Sequence, residues 1–400
     1  MKSERSRGTR FKRVLTQGLP LSILSLAMSV LALELFLRLI GNESGYYPYY
    51  PNTQSIMYPS EAITPGISGP SSFTTNSLGT RGPEYANEPY SIITVGGSTT
   101  ACSALDDSEE WPHLLMEYLN EDAPAGERVW VTNSGMDGKN SHHHIMHAKY
   151  LFPRISHLDL AIFYVGMNDV GRWLYKKSFD PDYIKSEENW QRELASSFRN
   201  LRTDTDPWYK HLELYNRLSV IKANIATARN ETRNEEGHII QDNEFAWLEN
   251  ERNRRANAQK RFIHQAKRET LPIALEEYKE NLIMMIELSR ENGIEPVFIA
   301  QTIAIFYGRS DEKDFWMGAM DGGSAYIKTK EFGEVLVEYN KCMEEVALDH
   351  GVPFLDLPNA LQDPSGDFFF DSCHFNEHGA REMARVVGEF LADNVLAPKT

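Results

Sequence analysis

Positive charge is the conspicuous shortage in this 400-residue chain: 41 lysines and arginines stand against 57 aspartates and glutamates, for a formal net charge of −16. Lys2, Arg5, Arg7, Arg10, Lys12 and Arg13 crowd into the first thirteen residues with only Glu4 against them, so the remainder is more acidic still. So acidic a body excludes broad binding of nucleic acid or anionic lipid head groups, and suits neutral or cationic substrates. Cysteine is scarce as well, limited to Cys102, Cys342 and Cys373. An odd count excludes full pairing and leaves at least one free thiol. Cys102 and Cys373 flank two candidate site segments, and whether they bridge is left open. No internal repeat is apparent.

Long apolar runs are missing with one exception. Leu19 to Ile40 is a nearly unbroken apolar stretch of the length a bilayer-spanning helix needs, and the cations before it belong in the cytoplasm. The expected order is a cytoplasmic basic tail (1–18), a transmembrane anchor (19–40) and a chain that is periplasmic or extracellular thereafter. A cleaved signal peptide is the rival reading; the run is longer than a usual signal core, and no small-x-small cleavage site follows it. Glu34 and Arg38 interrupt its far end at i,i+4 spacing, which lets them pair on one face while the arginine reaches water. A contact with a membrane partner is the functional alternative for this pair. Tyr46, Tyr47, Tyr49 and Tyr50, with Pro48 and Pro51, read as an interfacial aromatic collar opening a linker and lead-in over 41–89.

From residue 90 to 397 apolar, β-branched runs alternate with amphipathic stretches. Ser91–Val95, Val129–Asn133, Leu158–Val165, Val297–Ala300 and Val352–Leu355 read as strands. Helices are expected over 108–120, 142–151, 272–292 and 332–350, and after His378. This alternation predicts an α/β fold, a doubly wound, mainly parallel five-stranded sheet. It lapses over about 172–270, a polar, charged stretch with helical segments near 187–200 and 242–268 and no convincing strand, read as a helical insertion. The aromatics of that stretch, among them Trp173, Trp190, Trp208, Tyr209 and Trp247, are expected mainly in packing roles.

Four predicted strand ends carry groups suited to acyl transfer. Ser98 follows Gly96 and Gly97 at the end of the first strand, where open α/β sheets bind ligands. Its hydroxyl needs a base, which His374 can supply, and Asp371 three residues earlier can orient the imidazole. The oxyanion formed by attack needs donors, for which the Ser98 and Gly138 amides and the Asn168 side chain are candidates. His142, His143, His144 and His147 include helical pairs able to share a metal, yet no matching cysteines or carboxylates accompany them, so a packed or solvated helix start is favoured. No metal or cofactor is expected.

Gly96-Gly97-Ser98-Thr99, Asn133 to Gly138, Gly166-Met167-Asn168-Asp169 and Asp371-Ser372-Cys373-His374 occur in this order. Together they resemble the four blocks of the SGNH hydrolases, the GDSL lipase and esterase family, with Gly97 where that family usually has aspartate. The resemblance implies a flavodoxin-like fold, a Ser98–His374–Asp371 triad, and an oxyanion hole of Ser98, Gly138 and Asn168. The lead-in Asn76 to Gly82 is similar to segments in membrane-anchored bacterial relatives that act on acyl groups of envelope polysaccharides. The expectation is therefore a serine esterase or O-acyltransferase acting on O-acyl, foremost acetyl, groups of an envelope glycan, in the company of polysaccharide-assembly proteins. A lipid esterase or lysophospholipase and a catalytically silent scaffold are the alternatives. An apolar groove beside Ser98 points to the lipid reading, an open cleft with aromatic and polar walls to the glycan.

Overall fold

The computed structural model describes residues 19–40, 45–124, 126–176, 182–199, 201, 207–229, 232–233, 239–240, 245–309, 315–362 and 367–396. The basic tail lies outside them. Helix α1 (Leu19–Ile40) exposes its apolar side chains almost throughout; among its described side chains only Glu34 and Leu37 are buried. The lead-in is folded rather than extended: β1 (Gln54–Met57) and β2 (Ser71–Thr74) form an antiparallel pair. Arg81, 1% exposed, then fastens this segment to the domain. It donates to Asp107, to the Ser72 carbonyl, and to the carbonyls of Ala101, Cys102 and Leu105 in the loop beyond Ser98.

The core sheet begins with β3 (Tyr90–Gly96), followed by the short α2 (Ser98–Ala101), α3 (Trp111–Asn120) and β4 (Val129–Asn133). Next come α4 (Ser141–Met146), continued as a wider turn to Leu151, β5 (Leu160–Tyr164) and α5 (Met167–Tyr175). The inserted region holds α6 (Glu187–Ser197), α7 (Glu213–Arg229) and α8 (Ala246–Asn257). The closing part runs α9 (Leu271–Glu291), β6 (Glu295–Ile299), α10 (Thr329–His350), β7 (Phe354–Leu355) and α11 (Glu377–Asn394).

All five core strands are parallel, in the spatial order β7-β6-β5-β3-β4. Their β-branched and aromatic residues are buried on both faces, as a sheet covered on both sides requires. Helices α9 and α10 cover one face, and α3 packs against α11 on the other. After β4 the chain crosses back to β5 on the opposite side of β3, so the strand order reverses between β3 and β5. The register pairs Gly96 with Tyr164 and Tyr164 with Ile299, aligning the strand ends that lead into Ser98 and Asn168. A crevice opens at such a switch point because consecutive crossovers depart to opposite sides.

The expected elements form with small shifts at their ends, but the inserted region differs in two respects. The helix expected over 242–268 breaks at Ala258, because Arg255 is buried there and donates to the Ile327 carbonyl and Thr329. Two-residue strands, too short to show a period, are also present. One of them, Lys260–Arg261, pairs with Tyr326–Ile327 and so ties the insertion to the loop before α10.

Candidate active site

Ser98 opens α2 immediately beyond the Gly96–Gly97 turn. A Cβ on Gly97 would lie 2.5 Å from Asn168 Nδ2 and 3.3 Å from the Lys139 carbonyl oxygen. The absence of a side chain at 97, the one departure from the resembled motif, therefore makes room for the Asn168 amide. That amide donates to the Lys139 carbonyl at 2.7 Å, which fixes its plane and leaves its second hydrogen free to point elsewhere. Gly138, at φ +72, occupies the left-handed region that glycine enters without penalty. Ser98, Gly138, Asn168 and His374 line one cavity.

The loop before α11 brings the distant residues to Ser98. A bridge between Phe369 and Phe375 closes the loop, and the Phe370 amide donates to the His374 carbonyl. His374 Nε2 lies 2.7 Å from Ser98 Oγ, and Nδ1 lies 2.7 Å from Asp371 Oδ2. Asp371 is fully buried; its Oδ1 accepts from the Cys373 and His374 amides, and its Oδ2 also accepts from Trp316 Nε1 at 2.8 Å. Burial by itself would raise this carboxyl, yet the charge of His374 and these donors hold it below its ordinary value. For His374 burial pulls the other way, and Asp371 outweighs it, lifting the imidazole well above its ordinary value. Trp316 and Phe370 stack on the two faces of the ring, with centroids at 6.2 Å and 5.5 Å.

The cavity over Ser98 measures about 420 Å³ and has a largely apolar wall, including Met57, Leu105, Phe245, Trp247 and Phe375. Phe245 and Trp247 come from the insertion, and Trp247 packs edge-on against Trp316. A second, more polar cavity of about 530 Å³ shares Gly138, Asn168 and Trp316 with the first and reaches Arg172, Tyr175 and Tyr183. A third, of about 310 Å³, shares Met57, Ser103 and Asp137 with the first and extends along Tyr49 and Tyr50.

Ser98, Gly138, Asn168, Asp371 and His374, named from sequence, thus meet at one edge of the sheet. His378 stands apart, stacked on Phe368. Asp169 pins Ser141 through its hydroxyl and amide. The four histidines of α4 and its continuation are buried in the interior, where desolvation foremost lowers their values, to about 4 for His142 and His147. Among the described residues, the grouping tight enough for an ion is Asp371, Cys373 and His374, with ligand atoms within 4.8 Å. Both His374 nitrogens there already face Asp371 and Ser98, which suits proton transfer. All three cysteines are free, Cys102 and Cys373 included. Trp316 escaped the sequence reading because an isolated tryptophan in a long loop carries no periodic signal. Trp247 was visible only as one of several insertion aromatics; of these Trp173 is wholly buried, while Trp208 is 76% exposed.

The profile of the GDSL-like Lipase/Acylhydrolase family matches residues 94–382. No curated protein matches the sequence. Similar solved structures include an acetylxylan esterase from Geobacillus stearothermophilus, with 10% identity, 76% of this chain and 94% of that chain covered, and a TM-score of 0.39. A GDSL-like lipase from Bacteroides thetaiotaomicron gives 11% identity, coverage of 76% and 89%, and a TM-score of 0.37. An α/β hydrolase enzyme from the metagenome of Lake Arreo, Spain, gives 13%, 76% and 94%, and 0.38.

Proposed function

Because the chain belongs to the GDSL-like lipase/acylhydrolase family, a family of serine ester hydrolases, we propose that Ser98 attacks an ester carbonyl with His374 as its base, at the outer face of a membrane, on O-acyl groups of an envelope polysaccharide. The observation carrying the chemistry is the 2.7 Å contact between Ser98 Oγ and His374 Nε2. As Oγ bonds to the carbonyl carbon its proton passes to Nε2, and Asp371, kept ionised by its donors, stabilises the imidazolium. The Ser98 and Gly138 amides and the Asn168 side chain receive the oxyanion. The alkoxide of the substrate then departs with the Nε2 proton, leaving an acyl-Ser98 ester. Water or a second sugar hydroxyl, deprotonated by His374, releases the acyl group; hydrolysis and transfer differ only in that acceptor.

The glycan reading is supported by two further cavities that share lining residues with the one over Ser98 and carry tyrosines, Tyr175 and Tyr183 in one and Tyr49 and Tyr50 in the other. The membrane location is supported by α1, whose stretch Pro20–Leu39 has a mean hydropathy of 2.0 and is 6% buried; the preceding cations favour a cytoplasmic amino end. A second reading, a lipid ester or lysophospholipid as substrate, is favoured by the apolar wall and by a volume well beyond what an acetyl group fills. Labelling by a fluorophosphonate and turnover of p-nitrophenyl acetate, both lost in Ser98→Ala, are the expected results; a well-folded protein inert toward every ester supports a scaffold instead. Comparing acetylated glycans with long-chain acyl lipids then separates the substrates, and preference for the lipids overturns the glycan reading.

A further inference from the structure

Helix α7 carries an apolar stripe that faces away from the protein. Leu214, Leu218, Ile221 and Ile225 recur at i, i+4, i+7 and i+11 and form one stripe. Along that stripe Leu218, Ile221 and Ile225 are 54%, 52% and 47% exposed. Among the described side chains of α7, those buried against the protein are Glu213 and Asn216, which project away from that stripe. Half-exposed aliphatic side chains of this kind forgo part of their burial and so cost free energy in water. The turn leading into α7 adds Trp208 and Tyr209, which with Tyr215 form an exposed edge-to-face aromatic group.

What lies beside the start of α7 is α1. Its Glu34 carboxylate accepts the Glu213 and Leu214 amides at the start of α7, at 2.9 Å and 3.0 Å, and pairs with Arg38 at 2.7 Å. Arg38 in turn donates to the His211 carbonyl. Glu34 lies five positions before Leu39, where the apolar span ends, about 7.5 Å along a helix rising 1.5 Å per residue. Drawing α7 away would leave a carboxylate without those amides at that depth, which a bilayer penalises. We propose that α7 is a second membrane contact, lying in the outer leaflet with its Leu218–Ile221–Ile225 stripe among the acyl chains and its aromatic turn at the head groups. The depth agrees with the 5–10 Å to which interfacial helices sink, and Trp and Tyr favour that boundary. The acidic body gives little attraction to anionic head groups, so the contact rests on apolar area. Since α7 also touches β1, whose Met57 lines the Ser98 cavity, it holds the site close to the lipid surface.

The inference rests on α1 being a membrane anchor, and the test separates the two. Full-length protein with Cys342→Ala, retaining only its buried cysteines, is reconstituted in phosphatidylethanolamine–phosphatidylglycerol vesicles. Nitroxides are placed singly at Leu31→Cys in the span, Ile221→Cys in α7 and Leu348→Cys on the 81% exposed surface, and unchanged turnover of p-nitrophenyl acetate reports that each variant is folded. The expected result is that oxygen relaxes the labels at 31 and 221 several-fold more than a water-soluble nickel complex does, with the reverse at 348. Glu34→Ala should then release the label at 221 into water while that at 31 stays in lipid. A label in lipid at 31 but in water at 221 overturns the proposal and leaves the anchor standing. Dipolar broadening at 221 without lipid contact means that a second copy covers the stripe, and also overturns it. Water at both positions removes the anchor reading and the proposal with it.

Discussion

Replacing Asp371 by Asn tests the proposed chemistry most directly. The carboxylate is fully buried, with Oδ1 taking two backbone amides and Oδ2 taking Trp316 Nε1 and His374 Nδ1. An asparagine can keep its oxygen on the two amides, but its NH2 then meets the Trp316 donor and His374 Nδ1. The imidazole can satisfy that NH2 only by carrying its own proton on Nε2, the atom that must accept the Ser98 proton. In the template triad such a wrong tautomer lowers kcat by about 10⁴, and a similar loss is expected here. The pH profile moves as well. His374 acts as a base only when neutral, and Asp371 raises its pKa, so the acid limb of kcat/KM in the parent lies above the ordinary histidine value. With Asp371 gone, burial remains and pulls the limb to or below that value. The assay is the pH dependence of p-nitrophenyl acetate turnover by both proteins, with thermal melting to confirm folding. Activity within tenfold of the parent, or an acid limb that does not move, refutes the reasoning.

Other substitutions reach different parts of the argument. Gly97→Ala places a Cβ on the Asn168 amide, so kcat should fall on the order of 10²–10³-fold, as for a lost oxyanion donor, with little change in melting temperature; full activity would show that Asn168 takes no part. Arg81→Leu removes the ion partner of the buried Glu110, which keeps only its bond from Asn133, and a donor to several carbonyls, so urea unfolding should show a loss of about 3–5 kcal/mol. His147 is neutral in the folded chain to about pH 4, whereas the unfolded chain protonates it near 6.5, so the unfolded state binds more protons in that window and stability should fall as pH drops through it. Each such histidine accounts for at most roughly 3 kcal/mol at pH 4, and a urea midpoint independent of pH from 7 to 4 would contradict the burial of the cluster.

Strand positions were legible because β3 to β6 are apolar runs buried on both sides, and Val129–Asn133 forms with the bounds read from sequence. Ser98, Gly138, Asn168, Asp371 and His374 were legible because each sits in a short block at a strand end or before the last helix, and backbone turns of that kind are encoded locally. Two features depended on residues far apart in sequence and left no local trace. The lead-in read as linker in composition, yet Arg81 reaches across to the 101–107 loop and makes it part of the domain. The ring faces of His374 are held by Phe370, four residues away, and by Trp316, 58 residues away, and the cavity is roofed by Phe245 and Trp247 from a region whose pattern said only that it is helical and polar.

Alternation of apolar runs with amphipathic stretches determined the parallel sheet, and the order of four blocks determined which residues could meet, because both are properties of neighbouring residues. The tertiary structure decided how Asp371 is satisfied, why position 97 carries no side chain, and which face of α7 is left uncovered. Each of these is settled by what another segment brings to within a few ångströms, and no period in a linear chain records that.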